Sequence, residues 1–229
     1  NGKETIVHPE TGARLSETLR ETLGARDVKI GCNAGDCGAC TVLLDGVPVC
    51  ACLTPTQQVA GQNVETVAGM HANDPVAKML GERFQDHGAA QCGICTPGMM
   101  VAAVALLRDD PTPTEDAVKD ALGGVLCRCT GYRKIIDAVM GRPAVLDGAR
   151  GAVGDSIRRL DGADKVAGLE RFSDDIAPAG TLEILVIRSP YARAGFRFGD
   201  LETWAAATGG VEAFLIGSVH FRGGGRQRP

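Results

Sequence analysis

The spacing of apolar residues changes character near Asp74. Upstream of it the apolar positions fall in short, β-rich runs. Glu4 to His8, Val28 to Ile30, Thr41 to Leu44 and Val47 to Leu53 each read as a strand. Asp45-Gly46, between the last two, is the two-residue turn of a hairpin. Asn1-Gly2 is the same kind of turn signal and implies a partner strand upstream of Asn1. One helix interrupts the strands, with Ser16 as cap, Leu19 and Leu23 on its buried face and Gly24 as its stop. Residues 1–72 are expected to form a small mixed sheet with one helix laid across it, a β-grasp arrangement.

From Asp74 the period becomes helical. Asp74 as cap and Pro75 at the first position open a helix that runs through Met79, Leu80 and Phe84 to about His87, where Gly88 stops it. Thr96-Pro97 repeats the start signal for an apolar helix, Gly98 to Arg108. Thr112 opens a third, with Pro113 at the first position and Glu115 completing a capping box. Thr130 caps a fourth, Tyr132 to Met140, whose buried stripe is Ile135, Ile136 and Val139. Four short helices on tight loops predict a compact bundle over residues 73–142, and the class is α+β.

Between Pro143 and Gly154 the composition shifts to Gly, Ala, Pro and Arg, so residues 143–154 read as a linker. Residues 155–229 carry strand-like runs at Leu182 to Ile187 and Ala213 to Val219 but few helix signals. So short a segment does not easily bury its own sheet, and it is expected to complete one in a partner chain. The basic end, with Arg222, Arg226 and Arg228, reads as a solvated tail.

Charge narrows the function classes. A net charge of -4 over 229 residues gives no basic footprint for nucleic acid, and no apolar run approaches membrane-spanning length. Nine cysteines are few for a disulfide scaffold of this length, but they come in tight pairs and triples. That grouping fits metal binding in a reducing compartment, with no signal-peptide pattern ahead of it, and a cytoplasmic location is expected.

The densest group lies in Gly31 to Leu53, GCNAGDCGACTVLLDGVPVCACL. Cys32, Cys37 and Cys40 have the C-x4-C-x2-C spacing of a plant-type [2Fe-2S] loop, which a more distant fourth thiolate completes. Its glycines let backbone N–H groups turn toward the sulfurs. Cys50 and Cys52 lie two apart, on one face of a strand, and spacing alone does not choose between them as the fourth ligand. The other four cysteines form a C-x2-C pair, Cys92 and Cys95, and a C-x-C pair, Cys127 and Cys129, each just before a helix. Helix N-termini stabilise the negative charge of a cluster, although four thiolates also satisfy structural zinc.

In this order and spacing, KIGCNAGDCGACTVLLDG, QCGICTPGMM and LCRCTGYRKIIDAV resemble the two-cluster iron–sulfur subunit of the molybdenum hydroxylases, the xanthine oxidase family. The likeness covers residues 1 to about 141. It implies a plant-type ferredoxin-like domain holding one [2Fe-2S] cluster on Cys32, Cys37, Cys40 and Cys52, with Cys50 a bystander. It implies a helical domain holding a second on Cys92, Cys95, Cys127 and Cys129. By the same likeness Gln91, with Cys129, approaches the pterin of the molybdenum cofactor.

Residues 155–229 are similar to the opening of the molybdopterin-binding large subunit, a partial α/β segment. The residues that carry this are Asp161, Gly162, Lys165, Gly168, Asp174, Asp175, Arg188, Ser189 and Pro190. In such enzymes the molybdenum centre takes a hydride equivalent from a C–H bond, inserts oxygen from water and passes electrons singly through both clusters to FAD or another acceptor. The resemblance therefore implies an electron-conducting polypeptide with no catalytic residue of its own. Its partners would be a large subunit and an FAD-binding subunit or other acceptor. Two rivals remain at this level. A free-standing ferredoxin-like carrier would need only the first domain, and a zinc-stabilised interaction module would not need the plant-type loop.

Overall fold

The computed structural model describes residues 1–145, 153–182, 184, 189–193, 195 and 197–208. At its centre is strand β1, Thr41–Leu44, flanked by antiparallel neighbours β2, Val47–Cys50, and β3, Val64–Glu65, in the order β2-β1-β3. Leu44 pairs with Val47, and Asp45 and Gly46 close the hairpin at φ 49° and 85°, as a two-residue turn requires. Strand β1 is covered on both faces. Val42 joins a core with Leu15, Leu19, Val28 and Ala51, whereas Leu43 points the other way into a core built from helices. This double burial explains the unbroken apolar run. Each such side chain contributes about 1.5–3 kcal/mol, against about 0–1 for an exposed ion pair.

Two expected strands do not form. Ile6 is 83% exposed and residues 4–8 have no strand beside them among the described residues, so no ladder can satisfy their backbone. Residues 28–30 run unpaired into the cysteine loop. Helix α1, Leu15–Glu17, continues as a π-helical turn over Thr18–Thr22 and is ended by Gly24 at φ 67°. Ser16 does not cap it. The backbone of Ser16 donates to the Ala51 carbonyl at 3.1 Å, so the chain is tied to the sheet one residue too early, and Arg14 stands at the cap position.

The helical layer comprises α2, Val67–Asn73; α3, Pro75–His87; α4, Thr96–Asp109; α5, Glu115–Leu122; and α6, Arg133–Val139. Helix α4 is buried nearly all round from Thr96 to Val104 and packs on β1, α3 and α5, which is why its sequence is apolar on every face. Helix α3 starts and stops as its signals demand. The Asp74 carboxylate accepts the Val76 N–H at 2.7 Å, and Gly88 takes φ 59°. Helix α2 had no clear signal, since Gly69 weakens it, yet Val67 and Met70 bury it against α3 and α4.

Two helix starts differ from expectation. Helix α5 is capped two residues late by Thr114, whose hydroxyl accepts the Ala117 N–H at 3.2 Å. Helix α6 begins after Tyr132 at φ 65°, with the Thr130 hydroxyl accepting the N–H of Tyr132 rather than of a helical residue.

The chain divides into units Asn1–Ile176 and Ala177–Pro229, not at the composition change near residue 154. The reason is helix α7, Gly162–Ala167, whose Val166 is fully buried among α2, α3 and α4. In the second unit, α8, Leu201–Thr208, is capped by Asp200, which accepts from the Thr203 N–H at 3.0 Å and its hydroxyl at 2.7 Å. Arg188, most of the run Leu182 to Ile187, all of Ala213 to Val219, and Arg222, Arg226 and Arg228 lie outside the described residues.

Where sheet and helices meet, three glycines touch. A Cβ on Gly38 would stand 2.0 Å from the Gly124 carbonyl oxygen, and one on Gly98 would stand 2.4 Å from that of Gly38. Gly38 also sits at φ 65°. Gly38→Ala is therefore expected to cost more than about 1 kcal/mol in denaturant unfolding. Gly124→Ala, whose Cβ would meet nothing within 4 Å, should stay within about 0.5 kcal/mol. Equal effects of the two would contradict this account of the contact.

Candidate metal centres

The first thiol group is built by a loop whose backbone turns inward. Asn33, Gly35 and Gly38 all have positive φ, at 53°, 85° and 65°, a conformation that directs successive N–H groups toward one concavity. The N–H groups of Ala34 and Cys37 donate to the Cys32 sulfur at 3.3 and 3.4 Å, and that of Cys52 donates to the Cys40 sulfur at 3.4 Å. The loop has no room for side chains at its glycines. A Cβ on Gly31 would lie 2.9 Å from the Cys37 sulfur, and one on Gly35 would meet Leu53 at 2.4 Å.

The thiols differ sharply in environment. Cys40 and Cys52 are 3% and 2% exposed within the first core, whereas Cys32 is open to solvent. The N–H groups of Ala34 and Cys37 hold the Cys32 thiol down to about 7, while burial pushes Cys40 up to about 12. Strand β2 ends at Cys50, so Cys52 falls in the following turn and not on a common strand face. The Cys50 thiol points at the Gly35 carbonyl, 3.9 Å away, and burial raises it, with the charges of Cys52, Cys37 and Cys32 adding to the effect.

The second group forms where α4 and α6 begin. Cys95 is the cap residue of α4, and Cys127 and Cys129 lie in the loop before α6. Cys95 is within hydrogen-bonding reach of Cys127, and Cys129 of Cys92, so the two sequence pairs converge crosswise. Burial pushes Cys95 up. Burial acts the same way on Cys127, but hydrogen bonds from Thr130, whose hydroxyl is 3.3 Å from the sulfur, hold it below the ordinary thiol range. The Tyr132 hydroxyl accepts the Cys127 N–H at 2.9 Å and donates to the Val125 carbonyl at 3.4 Å, which locks this loop. Gln91, Cys92 and Cys129 are exposed beside it.

Both donor sets fit a [2Fe-2S] group. Each offers thiols in two facing pairs, with backbone donors and glycines at the positions a bulky sulfide-bridged ligand approaches. Among the described residues, no three His, Cys, Asp or Glu close around a single point as a mononuclear site would need.

The two loops are joined directly. The Leu126 N–H, next to Cys127, donates to the Cys37 carbonyl at 2.9 Å. Sequence reasoning missed Leu126 and the touching glycines, because each acts across a long sequence separation; it read Tyr132 only as a helix start, although its hydroxyl ties the loop within seven residues.

A model of the 2Fe-2S iron–sulfur cluster binding domain matches residues 1–65, and one of the [2Fe-2S] binding domain matches residues 66–140. Among curated relatives, the nicotine 6-hydroxylase small subunit of Paenarthrobacter nicotinovorans is 40% identical over 151 residues, covering 66% of this chain and 90% of that protein. The nicotinate dehydrogenase small FeS subunit of Eubacterium barkeri is 44% identical, covering 61% and 88%. The chain belongs to the molybdenum hydroxylase (xanthine oxidase) family.

It is an iron–sulfur electron-transfer subunit of these oxidoreductases, with two [2Fe-2S]-binding domains fused to part of the molybdenum subunit. The structure of aldehyde oxidoreductase from Desulfovibrio gigas matches with a TM-score of 0.68 at 35% identity. It covers 77% of this chain, and so reaches beyond the two cluster domains, but only 22% of its own length. Among the described residues no helix is long and apolar enough to cross a membrane.

The contrast in thiol environments has a chemical readout. In the metal-free protein, alkylation of Cys32 should rise through a midpoint near pH 7. Cys40 and Cys95 should stay unmodified until denaturant is added, as followed by peptide mass spectrometry. A Cys32 rate independent of pH across about pH 6 to 9 would contradict the backbone-donor geometry.

Proposed function

We propose that this chain carries electrons from a molybdopterin centre in a partner large subunit to FAD or another acceptor. The route runs first through a group held by Cys92, Cys95, Cys127 and Cys129, then through one held by Cys32, Cys37, Cys40 and Cys52. A [2Fe-2S] cluster in each set supplies one-electron storage. The chain's own contribution is to hold the two sets in fixed register. In this reading residues 1–72 are a β-grasp ferredoxin-like domain and residues 73–142 a four-helix domain. Residues 155–229 are the opening of a large-subunit-like domain.

The observation that carries the proposal is the Leu126 to Cys37 hydrogen bond, 2.9 Å long. It makes a route of covalent bonds and one hydrogen bond between a thiol of each set. Exposure of Gln91, Cys92 and Cys129 supports placing the second set toward the partner and its pterin. Exposure of Cys32 supports an outward position for the first set, toward the acceptor. Cys52 is preferred to Cys50 as the fourth ligand. Its N–H backs the Cys40 sulfur and its side chain is buried, whereas the Cys50 thiol is directed at the Gly35 carbonyl.

The purified full chain should be coloured and give two distinct EPR signals on reduction. Cys52→Ser should abolish one signal, while Cys50→Ser should leave both. A colourless zinc protein overturns the electron-transfer reading, and the reverse result for the two serine variants overturns the ligand choice.

The route itself has a separate test. Leu126→Pro removes the N–H and should slow electron equilibration between the two signals several-fold after rapid reduction, with both spectra retained. Leu126→Ala, which keeps the N–H, should match the wild type. Equal rates in Leu126→Pro and the wild type would exclude this hydrogen bond from the path.

A further inference from the structure

One part of the chain lies against the second thiol set without a role in the reading above. Helix α7 packs a side chain on the loop that follows Cys92, and the chain after it runs back to Asp27 and Lys29, just ahead of the first cysteine loop. Lys165, in α7, is only 4% exposed, and its ammonium is held by Asp161 at 2.7 Å and Glu170 at 3.0 Å. Its alkyl stem lies flat on Gly93, the residue after Cys92. A Cβ there would stand 3.0 Å from Cγ and 3.2 Å from both Cδ and Cε of Lys165. Gly93 itself is buried and sits at φ 93°, while Cys92 beside it is exposed.

Glu170 ties α7 to the segment just ahead of the first loop. Its side chain holds Lys165, and its carbonyl accepts from Lys29 at 2.8 Å, three residues before Cys32. Lys29 is also 4.8 Å from the Phe172 ring centre and 3.7 Å from Asp175, which Arg20 binds at 3.2 Å. Around Lys165 the charges cancel in pairs, because Arg159 binds Asp161 and Lys165 is shared between Asp161 and Glu170. What the side chain adds at Gly93 is therefore chiefly its four-carbon stem, placed where water would otherwise reach the loop.

We propose that Lys165 is a positioning residue for the second cluster: its stem closes over Gly93, fixes the Cys92 to Cys95 loop at that point and keeps solvent from the backbone there, with Asp161 and Glu170 serving to hold the stem in place. The inference rests on the proposed assignment of Cys92, Cys95, Cys127 and Cys129 to one [2Fe-2S] group. Solvent exposure and the shell around a cluster set its potential and its lifetime, so removing the cover should act on that cluster alone.

The test uses the full chain purified with its clusters, followed by EPR-monitored redox titration and by the rate of signal loss to an iron chelator. Lys165→Ala should change the g-values and midpoint of one signal and speed its loss about ten-fold or more. The other signal should stay as in the wild type. Lys165→Met keeps most of the stem and should restore the wild-type lifetime, while its midpoint falls to lower potential because Asp161 and Glu170 are left one charge uncompensated. The inference is overturned if Lys165→Ala moves neither signal. It is likewise overturned if both signals decay together, which marks a fold-wide effect, or if Lys165→Met loses its signal as fast as Lys165→Ala does, which assigns the effect to charge. Absence of a second signal in the wild type would instead defeat the underlying assignment, so the two failures are distinguishable.

Discussion

Three backbones without side chains meet at Gly38, Gly98 and Gly124, and the position of both thiol sets depends on that meeting. Gly38 belongs to the first cysteine loop, Gly98 to the first turn of α4 and Gly124 to the loop leading to Cys127. Any Cβ at Gly38 or Gly98 would drive these segments apart by a large fraction of an ångström or more, because carbonyl oxygens, unlike side-chain tips, cannot swing away. Separation would break the Leu126 to Cys37 hydrogen bond first, since it spans the same seam. Electron transfer over a fixed gap needs no moving part. It needs a seam that does not breathe, and close backbone contact backed by a core shared through β1 supplies it.

Each thiol set combines a buried end with an open one. Cys40 and Cys52 sit in the first core, while Cys32 reaches solvent; Cys95 is half-buried at a helix start, while Cys92 and Cys129 are exposed. Burial alone opposes the thiolate form, and the raised Cys40 and Cys95 record that opposition in the absence of a counter-charge. In the first set backbone N–H groups gather at the open end and hold Cys32 low, whereas in the second set it is the half-buried Cys127, bonded by Thr130, that is held low while the exposed Cys129 is raised. In the first set such a gradient anchors a bound group on its buried side and leaves its other side open.

Much of this was legible in the residues, for a physical reason in each case. Asp45-Gly46 and Gly88 stand at positive φ, and Asp74-Pro75 supplies a capping carboxylate followed by a residue with no N–H to satisfy, so their structures follow from local chemistry alone. Cysteine spacing carried the two sites, because ligands on one loop must be close in sequence. Ser16 misled because a tertiary tie outranked the local signal, its N–H being bonded to Ala51, whereas Thr112 lost to a second local cap, Thr114, two residues on. Strand 4–8 failed for want of a ladder partner, which no local pattern can reveal. The contacts at Leu126, Gly93 and Gly124 were not legible at all, since each pairs residues far apart in the chain.

Residues 155–176 pose the sharper lesson about boundaries. Composition marks a linker before them, yet Val166 is buried without measurable exposure, and Gly168 packs so closely that a Cβ would lie 2.5 Å from Val67 and 2.6 Å from Asp27. A tether that merely joined two domains would have no reason to accept such close contact. Burial of Val166 contributes about as much as any single core residue. The charged groups near it, Lys165 with Glu170 beside Gly93 and Asp175 with Arg20 and Lys29 ahead of the first loop, are matched within hydrogen-bonding or ion-pair distance. Because those charges are compensated locally, their field at either thiol set is short-ranged, and the segment acts by contact. The strap is thus part of the iron–sulfur unit in packing, whatever its likeness in sequence. Glycines close the seam between the two thiol sets, and the returning chain packs away from it, on Gly93 and on Asp27 and Lys29.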